Sequence, residues 1–213
     1  MLSPGCGRRR LIRSTFRSTF RSAFRFIFGI ALALVTALAG GTGDARADAS
    51  TRAEIQSRLE KAPRGLAAGD VAELGAGAGP LLAQIADDKA VASPIRLRAM
   101  AALAYVRTPR AHDFLEDYVV RMRPSSDPVD RALLRKAAIA LGWQSGPRTV
   151  EVLAALLDHP DAEVRLDAVV ALGLTRTQRA EKPLRARLAI EPDPAVRAQI
   201  DRQLKSLVGK EPG

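Results

Sequence analysis

Four helix-start signals recur along this 213-residue chain at nearly constant spacing. They are Ser93-Pro94, Asp127-Pro128, Asp161-Ala162 and Asp193-Pro194, and the steps between them are 34, 34 and 32 residues. Each signal offers a side-chain oxygen for a helix N-cap, and three of them place proline at the first helical position, where its missing N–H costs nothing. A period of this length is typical of a helical-repeat solenoid, in which each unit buries its apolar side only against its neighbours.

An apolar stripe with helical spacing follows these signals. Val164, Ala168 and Leu172 fall at positions i, i+4 and i+8 of one helix, which is the pattern of a half-buried helix. We interpret these residues, and Leu141 and Leu153 at comparable positions, as core. A short turn and a second, antiparallel helix follow the first helices, and these second helices are expected to open near Pro109, Pro147 and Gln178.

Two further residue types repeat with the units. Gly142 and Gly173 follow the last residue of the stripe, where a left-handed C-cap favours glycine, so we expect both to end their helices. Arginine follows the first apolar residue of three units, and we expect these side chains to pair with acidic residues of the adjacent unit. The three are Arg96, Arg165 and Arg197.

The segment 156–173 resembles a HEAT repeat, specifically the short bacterial kind that is also found in bilin lyases. It carries a leucine-rich helix end, the entry Asp161-Ala162-Glu163-Val164-Arg165 and the helix end Ala171-Leu172-Gly173. The resemblance covers 94–205 and weakens over 51–93. It implies an α-α superhelix and a scaffold role, but it does not identify a partner, because this scaffold serves unrelated tasks.

These observations predict the following domain organisation. A signal peptide and cleavage region occupies 1–49, atypical capping helices occupy 50–93, and HEAT-like repeats occupy 94–209. Within the last range the units run over 94–127, 128–160 and 161–193, and a partial unit runs over 194–209.

The predicted leader has a basic start, an apolar stretch over 26–39 and two A-x-A cleavage sites that end at Ala47 and Ala49. This layout is typical of a secretory signal peptide, and a 14-residue apolar stretch is shorter than the roughly 20 residues that span a bilayer. We expect cleavage after Ala47 or Ala49 and a periplasmic or secreted protein. The alternative is an inner-membrane anchor formed by an uncleaved signal, which would be the chain's one contact with a membrane.

The run Arg8-Arg9-Arg10 resembles a twin-arginine export motif, although about a dozen residues separate it from the apolar stretch, so the general and twin-arginine routes both remain open. The leader also explains most of the net charge of +10, because residues 1–47 contribute +7 and 48–213 only +3. A nucleic-acid partner is therefore not expected. The single cysteine, Cys6, lies in the leader, so the mature part is expected to have neither disulfides nor a thiolate metal site.

Catalytic motifs are not found in the sequence. We take neither His112 nor His159 to have an acidic or histidine partner in metal-ligand register, since Asp113 is merely adjacent to His112. The glycine-rich segment 75–79 lacks a preceding strand and a lysine, and we interpret it as a helix-ending turn. We expect no enzyme activity, no metal and no cofactor.

One charged cluster is the candidate binding site. Its five members crowd the turn before the last second helix and that helix itself, and Glu181 is the one acid among them: Arg176, Arg179, Lys182, Arg185 and Arg187. The functional hypothesis is a patch on the concave face that binds an acidic protein, and the alternative is a solvated helix face whose charges pair with neighbours. We expect an exported monomeric scaffold that binds a protein partner. The open alternatives are a structural subunit of a permanent envelope assembly and an enzyme-associated module related to bilin lyases.

Overall fold

The computed structural model describes residues 51–208, and within this range all regular structure is helical. The predicted signal peptide lies outside the described residues. The α-helices are α1 (51–61), α2 (Ala68–Glu73), α3 (Ala78–Asp87), α4 (Ser93–Ala102), α5 (Pro109–Met122), α6 (Pro128–Gln144), α7 (Thr149–Ala154), α8 (Ala162–Leu174), α9 (Glu181–Leu188) and α10 (Pro194–Val208). Short 3₁₀ turns at Leu103–Tyr105, Ala155–Asp158 and Gln178–Ala180 extend or precede three of them. No helix of the described range is long and apolar enough to cross a membrane.

The predicted caps form at three of the four start signals. Asp127 accepts hydrogen bonds from the N–H groups of the second and third helical residues, and Asp161 and Asp193 do the same in their units. The prediction is wrong at Ser93. There the chain turns one residue earlier, so that Ala92 is the N-cap without a side-chain bond and Ser93 is already helical. Its hydroxyl therefore does not serve as the cap.

The helices form two layers. In one layer α4, α6, α8 and α10 pack side by side in chain order. In the other layer α3, α5 and α7 pack side by side, and α7 contacts the 3₁₀ turn that precedes α9. Each helix of the second layer packs most extensively on the helix that follows it, α5 on α6, α7 on α8 and α9 on α10. The helical hairpins therefore close across the aspartate-capped turns, and the turns that follow α4, α6 and α8 link one hairpin to the next.

The core lies between the layers and follows the predicted stripes. Leu141, Leu153 and Leu172 have no exposed surface, which confirms their interpretation as core. Alanines at the middle stripe positions, such as Ala137 and Ala168, are equally buried. Because each unit contributes to one continuous core, the apolar residues of a single helix gain burial only when the neighbouring helices are present.

Gly142 and Gly173 have a different role from the predicted one. Neither ends its helix, since α6 continues to Gln144 and α8 to Leu174. A Cβ atom on Gly142 would stand 2.5 Å from the carbonyl oxygen of Ala171, and one on Gly173 would overlap the side chain of Gln203. At Gly142 glycine is therefore required by the close approach of the backbone of the next helix in the layer, whereas at Gly173 the neighbour is a flexible side chain that can move. Neither glycine has a left-handed backbone.

Candidate partner-binding surfaces

The five residues of the predicted basic cluster lie on two different elements of the structure. Arg176 and Arg179 lie in the turn before α9, whereas Lys182, Arg185 and Arg187 lie along the helix. Arg179 forms an ion pair with Glu151 and donates to the carbonyl oxygen of Pro147, and Arg185 pairs with Glu181 at 2.7 Å.

Arg187 belongs to a buried network rather than to the solvated face. Only 13% of its side chain is exposed, and its Nε donates to Glu191 Oε2 at 2.7 Å. Glu191 is itself buried and accepts two hydrogen bonds from Arg165, at 2.8 and 3.0 Å. Burial of the Glu191 carboxylate opposes its ionisation, but the hydrogen bonds from Arg165 and Arg187 outweigh burial and lower its pKa to about 2. Charge reversal at Arg187 would therefore disturb the fold as well as the surface.

The three repeated arginines behave differently from one another. Arg165 pairs with an acidic residue, Glu191, but this residue belongs to the same predicted unit, 161–193, and not to the adjacent one. The Arg165 guanidinium also donates to the carbonyl oxygens of His159 and Pro160. The expectation of acidic partners is wrong for the other two. Arg96 is buried and donates to the carbonyl oxygen of Ala86, and Arg197 donates to those of Leu188 and Glu191. Each arginine thus hydrogen-bonds a carbonyl at the end of the preceding helix or in the turn after it, where unpaired carbonyls occur.

The sequence reasoning about His112 is also corrected. Glu116 lies four residues after it on the same face of α5, and Glu116 Oε1 is 3.8 Å from His112 Nε2. The same nitrogen lies 3.1 Å from the hydroxyl oxygen of Thr149, which accepts a hydrogen bond from the N–H of Gly146. Thr149 is 1% exposed, so its hydroxyl is not accessible to a substrate. His112 therefore joins α5 to α7, and Glu116 Oε1 remains buried without a hydrogen-bond partner.

His159 is a structural residue. It is buried in the turn before α8, and its Nδ1 accepts a hydrogen bond from the N–H of Asp161 at 3.1 Å. Within 51–208 there is no group of three or more histidine, cysteine, aspartate or glutamate side chains that could hold a metal ion.

A groove that the sequence reasoning missed lies at the end of α4 and α6. Tyr105 and Trp143 line it, and these two side chains are 51% and 45% exposed. The opposite wall comes from α2 and the turn after it and consists of small and apolar residues, among them Ala72 and Ala76. The groove has a volume of about 500 Å³, and we call it the aromatic groove.

The exposure of these aromatic rings is unusual within the described range. The other two aromatic residues belong to the core region, since Tyr118 is buried and Phe114 packs against it with ring centroids 5.7 Å apart. A sequence signal for the groove exists, because Tyr105 and Trp143 each stand two residues after a stripe leucine. The equivalent residue of α8 is Leu174, so an apolar residue repeats at this position.

The turn that carries Tyr105 is held in place from α6. The Gln144 side-chain amide donates to the carbonyl oxygens of Leu103 and Val106, at 2.7 and 3.0 Å. Both amide hydrogens of Gln144 are thereby used to fix the turn. A turn held in this way loses little further backbone entropy when a ligand binds. The backbone that carries Tyr105 at the aromatic groove is therefore preformed.

Residues 122–205 match the family model of HEAT repeats, and this part of the chain consists of HEAT repeats, as the resemblance predicted. Among solved structures, the chain is similar to human deoxyhypusine hydroxylase in complex with glycerol. The sequence identity is 18%, the match covers 78% of this chain and 90% of that chain, and the TM-score is 0.27. No residue role is carried over from a likeness of this size. No curated protein matches the chain in sequence.

Proposed function

We propose that this protein is a helical-repeat scaffold that binds a partner protein through the aromatic groove and performs no catalysis of its own. The proposal depends on one observation. Two exposed aromatic side chains, Tyr105 and Trp143, line the same groove as the apolar residues of α2. Tyrosine and tryptophan are the residues that most often dominate the energy of protein interfaces, because each buries a large area with few rotatable bonds.

The absence of catalysis is supported by the surroundings of the polar groups. The His112–Thr149 pair has the spacing of a base and a nucleophile. The Thr149 hydroxyl is buried, however, and its oxygen accepts a hydrogen bond from the N–H of Gly146. The basic cluster is the second candidate surface, and two of its exposed members, Arg176 and Lys182, form no ion pair with any residue of 51–208.

A display selection of random peptides against the full chain tests the groove. Trp143→Ala and Tyr105→Ala should each weaken the selected peptides by about 30-fold or more, because truncation of an aromatic hot spot costs about 2 kcal/mol. Val120→Ala is the matched control, since Val120 is 56% exposed and outside the groove, and its binding should equal that of the wild type. Selected peptides that bind the three variants alike would place the binding site elsewhere.

A permanent structural subunit is the alternative, because the same exposed rings could be covered in an assembly. The two functions differ in the oligomeric state of the isolated chain. A free scaffold should be a monomer by light scattering, whereas an obligate subunit should self-associate when its partner is missing.

We also propose that the scaffold is exported, on the strength of the leader pattern alone. The mature chain should begin at Asp48 or Ser50 when the full gene is expressed in a native-like host. N-terminal sequencing or intact-mass measurement of the purified protein checks this. Recovery of residues 1–30 on a soluble, purified protein would contradict export, and their recovery on a membrane-bound protein would favour the uncleaved anchor.

A further inference from the structure

We propose that the partner of the aromatic groove is an acidic protein segment, in which carboxylates flank an apolar side chain. A row of exposed arginines beside the groove would bind these carboxylates. This inference rests on the proposed function, and it concerns the chemistry of the partner and not the existence of the groove.

The row comes from the turns that follow α4, α6 and α8. The first turn and the start of α5 contain Arg107-Thr108-Pro109-Arg110, and the third turn contains Arg176-Thr177-Gln178-Arg179, so arginine occupies the same two positions in both. In the middle turn Ser145 stands at the first of these positions and Arg148 at the second. The segments 103–111, 143–150 and 174–180 contain no acidic residue. We call these five side chains the arginine row: Arg107, Arg110, Arg148, Arg176 and Arg179.

The three turns are neighbours in space. A polar groove of about 360 Å³ is lined by 107–109 and 112–113 from the first turn and the start of α5 and by 144–147 from the second turn, so one carboxylate, that of Asp113, also lies on it. Arg179 of the third turn donates to the carbonyl oxygen of Pro147 in the second. Arg107 lines both this polar groove and the aromatic groove. The arginine row therefore begins at the groove that carries Tyr105 and Trp143 and continues along the same edge of the array.

Most of this positive charge is not neutralised by the chain itself. Arg107, Arg110 and Arg176 are exposed and form no ion pair within 51–208. The Arg148 side chain is 76% exposed, and its distance of 4.0 Å to Glu116 makes this a weak ion pair. Arg179 is the one member with a close partner, Glu151.

The turns at the opposite edge combine acidic and basic residues. Asp127, Asp161 and Asp193 cap helices there, and Asp161 also pairs with Arg131 at 3.4 Å. The segments 103–111, 143–150 and 174–180 carry no carboxylate, so docking of an acidic partner segment is favoured at the arginine row. Positive potential beside an apolar groove fits a segment with both carboxylates and an apolar anchor.

A single-stranded nucleic acid is the competing occupant, since it also combines negative charge with flat rings. Binding of this kind uses a series of aromatic platforms along a basic path. Beyond Tyr105 and Trp143, the described residues place no exposed aromatic side chain along the row, and the wall that faces them consists of alanine, glycine and one valine, Val71. The geometry favours one apolar anchor rather than successive stacked bases.

The test uses three labelled peptides that share one central aromatic anchor and differ in its flanking residues, which are glutamate, glutamine or lysine. Binding to the full chain is followed by fluorescence anisotropy at low and at physiological salt. The glutamate peptide should bind most tightly. Its advantage over the glutamine peptide should shrink as salt rises, because charges on an exposed surface are screened over about 8 Å at physiological ionic strength.

Paired variants locate the effect. Arg110→Gln with Arg148→Gln should weaken the glutamate peptide by about three- to tenfold at low salt, the amount expected for the loss of two exposed ion pairs. The glutamine peptide should be unchanged, because neither residue lines the aromatic groove. Lys136→Gln with Lys205→Gln removes the same charge from exposed positions on α6 and α10 and is the matched control. This control should bind all three peptides like the wild type.

Three results would overturn the inference. The first is equal affinity for glutamate and glutamine peptides that both depend on Trp143, which would leave the proposed function intact. The second is an equal response of the arginine variant and the lysine control. The third is tighter binding of a single-stranded oligonucleotide than of the glutamate peptide, which would assign the arginine row to nucleic acid. If no peptide binds and Trp143→Ala changes nothing, the proposed function fails as well.

Discussion

Arg165→Ala is expected to destabilise the protein by about 3 kcal/mol. The substitution leaves the Glu191 carboxylate buried with Arg187 as its one remaining charged partner, and an uncompensated buried charge costs several kcal/mol. It also removes the two hydrogen bonds from the guanidinium to the carbonyl oxygens of His159 and Pro160. Urea unfolding followed by circular dichroism measures the change in the free energy of unfolding.

Arg185→Ala is the matched control for this experiment. It breaks an ion pair of the same type with Glu181, but on an exposed surface, and should cost no more than about 0.5 kcal/mol. Equal losses for the two variants would show that the Arg165–Glu191 pair is no more important than an exposed one. The double variant Arg165→Met with Glu191→Leu should recover part of the loss, because it removes both charges of this pair while Arg187 keeps Asp158 as a partner at 3.3 Å.

The pH dependence of the unfolding free energy is a second test of the network formed by Arg165, Arg187 and Glu191. The folded-state pKa of Glu191 is about 2, below its ordinary value of 4.5, so folding favours the ionised carboxylate. This contribution to stability is complete above about pH 5 and decreases as the pH falls towards 2. Glu191→Gln should therefore remove part of the acid dependence of the unfolding free energy between about pH 5 and pH 3. An identical pH profile for wild type and variant would contradict the assignment.

The repeat itself was predictable because its signals are local. An aspartate cap and a stripe at i, i+4 and i+8 act within one helix, so Asp161 and Leu172 are placed correctly from sequence alone. Gly142 illustrates the limit. Glycine near a helix end is usually a C-cap, and only the position of Ala171 on the next helix shows that close packing is its role here.

The candidate site depended on contacts between units and was predicted less well. Arg187 has the charge of a surface residue, and its partner Glu191 lies only four residues after it. The contacts that the sequence does not show are those of Asp158 with Arg187 and of Arg165 with Glu191. Trp143 shows the reverse, since a tryptophan near a stripe is ordinarily core. It is exposed because it stands two residues past the last stripe leucine, where the helix has rotated away from the layer interface.

Leu172→Ala should lower the free energy of unfolding by roughly 2–5 kcal/mol, which is the usual range for truncation of a fully buried leucine. Leu172 has no exposed surface and lies on α8, which packs on both α6 and α10, so the cavity would lie where three helices meet. Ile190→Ala is the control, because Ile190 is 68% exposed and should change stability by no more than about 0.5 kcal/mol. Urea melts of the two variants test the register of the stripe directly.

The same experiment reports on cooperativity. Each helix pair contacts only its neighbours, so a defect in α8 separates the α9–α10 pair from the rest of the core. We therefore expect Leu172→Ala to lower the denaturant slope as well as the midpoint, since one end of the array would open before the other. Hydrogen exchange should then show loss of protection in α10 before α4. A loss of less than about 0.5 kcal/mol, or uniform exchange along the array, would mean that Leu172 does not couple the C-terminal helices to the core.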